Sequence, residues 1–147
     1  MKKFNPPLIF FSLFIISFIV SFLLPRPQLI PAPFHYLGAV FIFLGAHINI
    51  VSDRLFKLHQ TPIKPYQKPN FLITSGPYKI SRNPMYLGMF LLLFGLAIYL
   101  QSAFTLLVPI IFIIFIQKYF IPIEETNLKK QFGQKYQQYQ KKVRRWL

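Results

Sequence analysis

The stretch NPMYLGMFLLLFGLAIYLQSAFTLLVPIIFIIFIQ, residues Asn83–Gln117, decides the fold, because it runs for 35 positions without a charged side chain. One helix crossing the hydrocarbon core of a bilayer needs about 20 apolar residues, so this length suits two helices joined tightly. Gln101 and Ser102 are the only adjacent polar pair inside it and mark the turn. The spacing predicts a helical hairpin with spans near Met85–Leu100 and Ala103–Phe120, the second kinked at Pro109.

Two further uncharged runs precede the hairpin. Pro6–Leu24 is dominated by Phe, Ile and Leu, while Pro27–Ser52 has a proline-rich head (Pro27, Pro31, Pro33) and an apolar body from about Phe34 to Val51. Lys2 and Lys3 resemble the start of a signal peptide. No small-residue cleavage site follows, and Pro25, Arg26 and Pro27 close the run, so a retained span is expected. The fold class is therefore all-α: one polytopic membrane domain over residues 1–147, with about four transmembrane helices (6–24, 34–51, 85–100, 103–120).

Composition agrees with this class. Hydrophobic residues make up 54% of the chain and charged residues 14%, against roughly 25% charged in a soluble domain. Lys and Arg number 17 and the acids 3, Asp53, Glu124 and Glu125, for a formal charge of +14. A nucleic-acid domain of such charge keeps its bases on a soluble surface, whereas here the apolar residues form long runs; no nucleic-acid partner is expected. The absence of cysteine excludes disulfides, thiolate metal sites and Cys nucleophiles.

Basic residues stay on the cytoplasmic side of a membrane protein. Lys2 and Lys3 precede the first span, six bases from Arg54 to Arg82 lie between the second and third, and eight follow from Lys118 onward; only Arg26 stands opposite. Both termini and the loop 52–82 are thus expected in the cytoplasm. After the last span, Leu128, Phe132, Tyr136, Tyr139, Val143 and Trp146 recur at steps of three and four, one face of a C-terminal amphipathic cytoplasmic helix that Gly133 can interrupt. Lys129, Lys130, Lys135, Lys141, Lys142, Arg144 and Arg145 line its other face, which suits anionic membrane lipid.

Chemistry-bearing residues are few. Gly76-Pro77 marks a turn, and Arg82-Asn83-Pro84 opens the third span, where free backbone N–H groups could receive an anion or could simply start a helix. Glu124 and Glu125 follow the last span; they fit the first turn of a helix begun by Pro122, and equally a site for something cationic. Asp53 is expected to pair with Arg54. The histidines, His35, His47 and His59, have no metal-ligand spacing, and no phosphate loop or nucleophile elbow is present.

Three blocks in order carry a resemblance: LITSGPYKISRNPMYLG (72–88), then Glu124-Glu125 with Leu128, then Phe132-Gly133 with Tyr136, Tyr139 and Val143. They resemble the membrane methyltransferases that include isoprenylcysteine carboxyl methyltransferase and the phospholipid methyltransferases. The resemblance implies S-adenosyl-L-methionine as cofactor, bound on the cytoplasmic side, and a lipophilic substrate arriving from the bilayer of a bacterial inner membrane. It implies cofactor contacts from Asn70, Phe71, Leu72, Ile73, Tyr78, Asn83, Pro84, Met85, Tyr86, Glu124 and Glu125, with Arg82, Asn83 and Glu124 as catalytic candidates and no metal. Asn83 stands where many members carry His, and no Arg immediately precedes the Glu pair. An NADPH-dependent sterol-reductase-like protein and a non-catalytic basic membrane protein are the alternatives.

Overall fold

The computed structural model describes residues 5–24 and 30–147. Expectations resting on Lys2, Lys3, Pro25, Arg26 and Pro27 concern positions outside the described residues. Six α-helices follow in order: α1 (Pro6–Leu23), α2 (Leu37–Leu58), α3 (Pro84–Tyr99), α4 (Leu107–Tyr119), α5 (Ile121–Phe132) and α6 (Gln134–Lys142). No strand occurs among the described residues. An all-helical build is one way to meet the demand of lipid that every backbone polar group be paired, since a helix satisfies its own.

The runs Pro6–Leu23, Phe34–Leu58 and Ala103–Phe132 are long and apolar enough to cross a membrane, and α3 is a shorter apolar helix. Their outer faces are apolar and open, as at Phe11, Phe18 and Phe22 on α1, Phe43 on α2 and Ile111 on α4. Such faces suit acyl chains. A continuous helix over Ala103–Phe132 would measure about 45 Å, longer than a hydrocarbon core of about 30 Å. Charged residues begin at Lys118 and recur at Glu124, Glu125, Lys129 and Lys130, so α5 is too polar to lie within the hydrocarbon core.

Helices α2 and α3 cross at two glycine pairs. A Cβ on Gly38 would lie 2.4 Å from the Gly95 carbonyl oxygen, and one on Gly45 would lie 2.6 Å from that of Gly88. Each pair repeats after seven residues, two turns along either helix. Between helices in lipid, where both sides are apolar, such close backbone approach supplies the association through van der Waals packing. On the other side of α3, Leu93 and Tyr86 pack with Phe10 of α1 and with Val108, Phe112 and Ile116 of α4.

Several local expectations change. The second helix runs past Val51 to Leu58, and Asp53 pairs not with Arg54 but with Lys57 at 2.7 Å; residues four apart share a helix face and neighbours in sequence do not. Pro109 makes no mid-helix kink, because the segment Ala103–Leu106 is a 3-10 turn and α4 starts only at Leu107. That places Pro109 in the first turn, where its missing N–H goes unused. The C-terminal helix is two helices, broken at Gly133 with φ +48°, and it stops at Lys142. Val143–Leu147 leave the helical face and turn back over the start of α3.

Candidate functional site

A cavity of about 320 Å³ opens where the first turn of α1, the end of α2, the loop 62–69, the start of α3 and α5 converge. Local sequence explains each wall. Pro84 at the first helical position starts α3, presenting Met85, Tyr86 and Met89 to the cavity. Pro122 likewise starts α5, which brings in Glu124, Glu125, Asn127 and Leu128. Pro62, Pro65 and Pro69 keep the facing loop from forming a helix.

Of the expected residues, Tyr78, Arg82, Asn83, Met85, Tyr86, Glu124 and Glu125 line this cavity. Asn70 stands in an adjoining open groove, and Phe71, Leu72, Ile73 and Pro84 line neither. The 70–73 segment is folded onto the end of α2 instead. The Asn70 N–H donates to Thr61 Oγ1 at 2.9 Å and its side chain donates to the Gln60 carbonyl, while the Phe71 ring stacks on His59 at 4.1 Å. Ile73 and Pro84 are buried. Residues not anticipated include Phe56, Lys64, Gln67, Asn127 and Tyr136. Only the prolines signalled that a loop stands here, and they do not say what it covers.

The two glutamates differ completely in their surroundings. Glu125 is held by two guanidinium groups: Arg82 Nη1 lies 3.0 Å from Oε1, and Arg145 donates Nε to Oε1 at 3.0 Å and Nη2 to Oε2 at 2.8 Å. Glu124 receives a hydrogen bond from the Tyr86 hydroxyl and has no cationic partner among the described residues. Asp53 has Lys57, so of three acids Glu124 alone is uncompensated. Burial pushes its carboxyl up to about 7; the Tyr86 hydrogen bond opposes this in part, and the Glu125 charge adds to it. Burial first, then the Glu124 charge, hold the Tyr78 hydroxyl well above the usual phenol range, so it stays protonated.

Arg82 and Asn83 are engaged in structure. Besides Glu125, Arg82 donates to the Tyr136 hydroxyl at 3.4 Å, and its backbone N–H donates to the Arg144 carbonyl at 3.0 Å. Asn83 Nδ2 and Ser81 Oγ both donate to the Arg145 carbonyl, at 3.0 and 3.1 Å. Tyr139 in α6 donates to the Tyr78 carbonyl at 2.6 Å, and Trp146 donates to Gln117 at 3.1 Å. The last residues are thereby fastened to Arg82 and Asn83, two residues that line the cavity. Arg145, expected on a lipid-facing basic stripe, points inward because Glu125 offers a bidentate partner. Chemically, the cavity joins apolar walls to one open carboxylate, an arrangement suited to a cation with an apolar body.

Comparison with known proteins gives four findings. The sequence profile described as phospholipid methyltransferase matches residues 33–135. A probable protein-S-isoprenylcysteine O-methyltransferase of Oryza sativa subsp. indica is 30% identical over 115 residues, covering 74% of this chain and 58% of that protein. An uncharacterised protein of Haemophilus influenzae is 43% identical over 63 residues, 43% of this chain and all of that one. Among solved structures, the eukaryotic intramembrane Ras methyltransferase, an isoprenylcysteine carboxyl methyltransferase, superposes with a TM-score of 0.68 at 22% identity over 93% of this chain and 50% of that one. The shared fold is an intramembrane helical one, and this chain spans 58% of the rice relative and half of the structural match.

Proposed function

The chain belongs to the phospholipid methyltransferase family, and from that premise we propose that it is an integral membrane methyltransferase acting on a lipophilic substrate from the bilayer, with S-adenosylmethionine as methyl donor. The observation that carries this reading is the lone uncompensated carboxylate, Glu124, in an otherwise largely apolar cavity. When bound, S-adenosylmethionine supplies a methyl group already activated on a sulfonium cation. The protein then has to align and enclose, and needs few catalytic side chains.

The residues present fit that task. Glu124 meets the cationic amino group that S-adenosylmethionine and S-adenosylhomocysteine share, and Tyr86 fixes its orientation through the hydrogen bond. Met85, Met89 and Phe56 supply apolar surface that excludes water. Arg82 and Asn83 act by holding the chain end against the cavity rather than by touching reacting atoms. Carboxylate, amine and thiol acceptors all suit an in-line displacement. The weight of basic residues around the loop and α5–α6 supports a cytoplasmic location for this end of the molecule and both termini, with the exposed lysines of α5 and α6 against anionic headgroups.

The test is thermal unfolding of the detergent-purified protein with S-adenosylhomocysteine or NADPH. Stabilisation by the first and none by the second is expected. A shift with NADPH alone would move the protein to the reductase class, and indifference to both would make it a non-catalytic lipid-binding protein. The binding also has a predicted pH dependence. Because the Glu124 carboxyl sits near 7, the carboxylate dominates above that pH and affinity is full; below it the group must lose a proton to bind a cation. Affinity should fall by about tenfold per pH unit below 7, read by titration calorimetry at several pH values.

A further inference from the structure

The tail reaches the site from 20 positions beyond Glu125, and the one side chain it brings to the Glu pair is that of Arg145. Arg145 makes both hydrogen bonds of a fork on Glu125 and presents its own carbonyl to Ser81 and Asn83. Arg82 shares Oε1 with Arg145 Nε, so Glu125 meets two guanidinium groups. Neither arginine pairs with Glu124.

We infer that Arg145 is a positioning residue for Glu124: by closing Glu125 between two guanidinium groups, the chain end leaves Glu124 as the one open negative charge facing the cavity. The inference rests on Glu124 being the group that meets the methyl donor, and it assigns the division of labour within the Glu pair. Two adjacent carboxylates in a buried cavity repel, and one of them would otherwise hold a proton at neutral pH. Compensating Glu125 from a separate segment weakens that competition, so that Glu124 ionises more readily for an incoming cation than it would beside an unpaired Glu125.

The titratable groups that line the cavity with Glu124 are few: from α3 Tyr86, from the 76–83 segment Tyr78 and Arg82, from the loop 62–69 Lys64, from α5 Glu125, and from α6 Tyr136; the first turn of α1 contributes Asn5, Pro6 and Pro7, none of which titrates. Only Glu125 is a second acid. Loss of its partner Arg145 therefore changes the field at Glu124 in a direction fixed by sign.

The experiment follows the Glu124 carboxyl itself, as the infrared carboxylic-acid band of the full-length detergent-purified protein that vanishes in Glu124→Gln, over a pH series without cofactor. Arg145→Gln should raise the midpoint by about one pH unit, the effect of one added like charge nearby; Arg145→Lys, which keeps the charge, should restore it. Glu125→Gln should lower the midpoint, and it decides alone if Arg145→Gln does not fold. An unmoved midpoint in Arg145→Gln, an equal shift in Arg145→Lys, or no downward shift in Glu125→Gln overturns the inference. Because no cofactor is present, failure of the methyltransferase reading would show separately, as absence of S-adenosylhomocysteine binding with the midpoint shifts intact.

Discussion

Glu124→Gln is expected to abolish the stabilisation by S-adenosylhomocysteine and to weaken cofactor affinity about 100-fold. The amide keeps the shape and can still accept the Tyr86 hydrogen bond, so the change is one of charge. A buried ion pair broken on one side costs about 3–5 kcal/mol, and about 2.8 kcal/mol already corresponds to a 100-fold loss. The free protein should behave in the opposite sense. A glutamate raised in the folded state to about 7 favours folding most when protonated, below its unfolded value, and that contribution is lost as pH rises through 7. At pH about 8 the parent therefore carries an unfavourable buried carboxylate that Gln lacks. Unliganded Glu124→Gln should melt no lower than the parent while its ligand-induced shift disappears, and the pH dependence of any residual binding should be flat. A retained shift would remove Glu124 from the proposed site.

The largest effect on folding is expected at the glycine crossings of α2 and α3. In Gly88→Ala the new Cβ would stand 2.5 Å from Asn49 Nδ2 and 2.8 Å from the Gly45 carbonyl oxygen. In Gly95→Ala it would stand 2.5 Å from the Gly38 carbonyl oxygen and 2.9 Å from the Ile42 nitrogen. Backbone atoms cannot turn aside as a flexible side chain can, so the helices must separate. Overpacking of this kind costs about 1–3 kcal/mol, and Leu at either position should prevent folding. The two sites should differ in function. Gly88 lies one turn from Met85, Tyr86 and Met89 of the cavity, whereas Gly95 is seven residues further along α3, about 10 Å away. Gly88→Ala should lower both melting temperature and cofactor affinity; Gly95→Ala should lower the melting temperature alone. Equal affinity losses at the two positions would show that the cavity does not depend on where α3 sits locally.

These glycines also show where sequence reading stops. Gly38 and Gly45, and Gly88 and Gly95, repeat at seven residues and are visible in the chain, yet nothing local says that the pairs face one another. Gly133 was legible as an interruption because a positive φ there needs only its own residue. Asn70–Ile73 shows the same limit: the segment matches the family pattern by position, but its contacts with Thr61, Gln60 and His59, just past the end of α2, are tertiary and no spacing in the chain encodes them.

The uncharged runs determined by themselves that this chain is a helical membrane protein, because lipid cannot solvate a backbone and each helix satisfies its own hydrogen bonds within a few residues. Scarcity of acid likewise singled out Glu124 and Glu125 without any coordinates. Which of the two keeps an open charge was decided only by tertiary structure. Arg82 comes from a turn 43 positions before Glu125 and Arg145 from a tail 20 positions after it, and a pairing between such distant residues depends on how α3, α5 and the chain end meet in space, which no local pattern encodes.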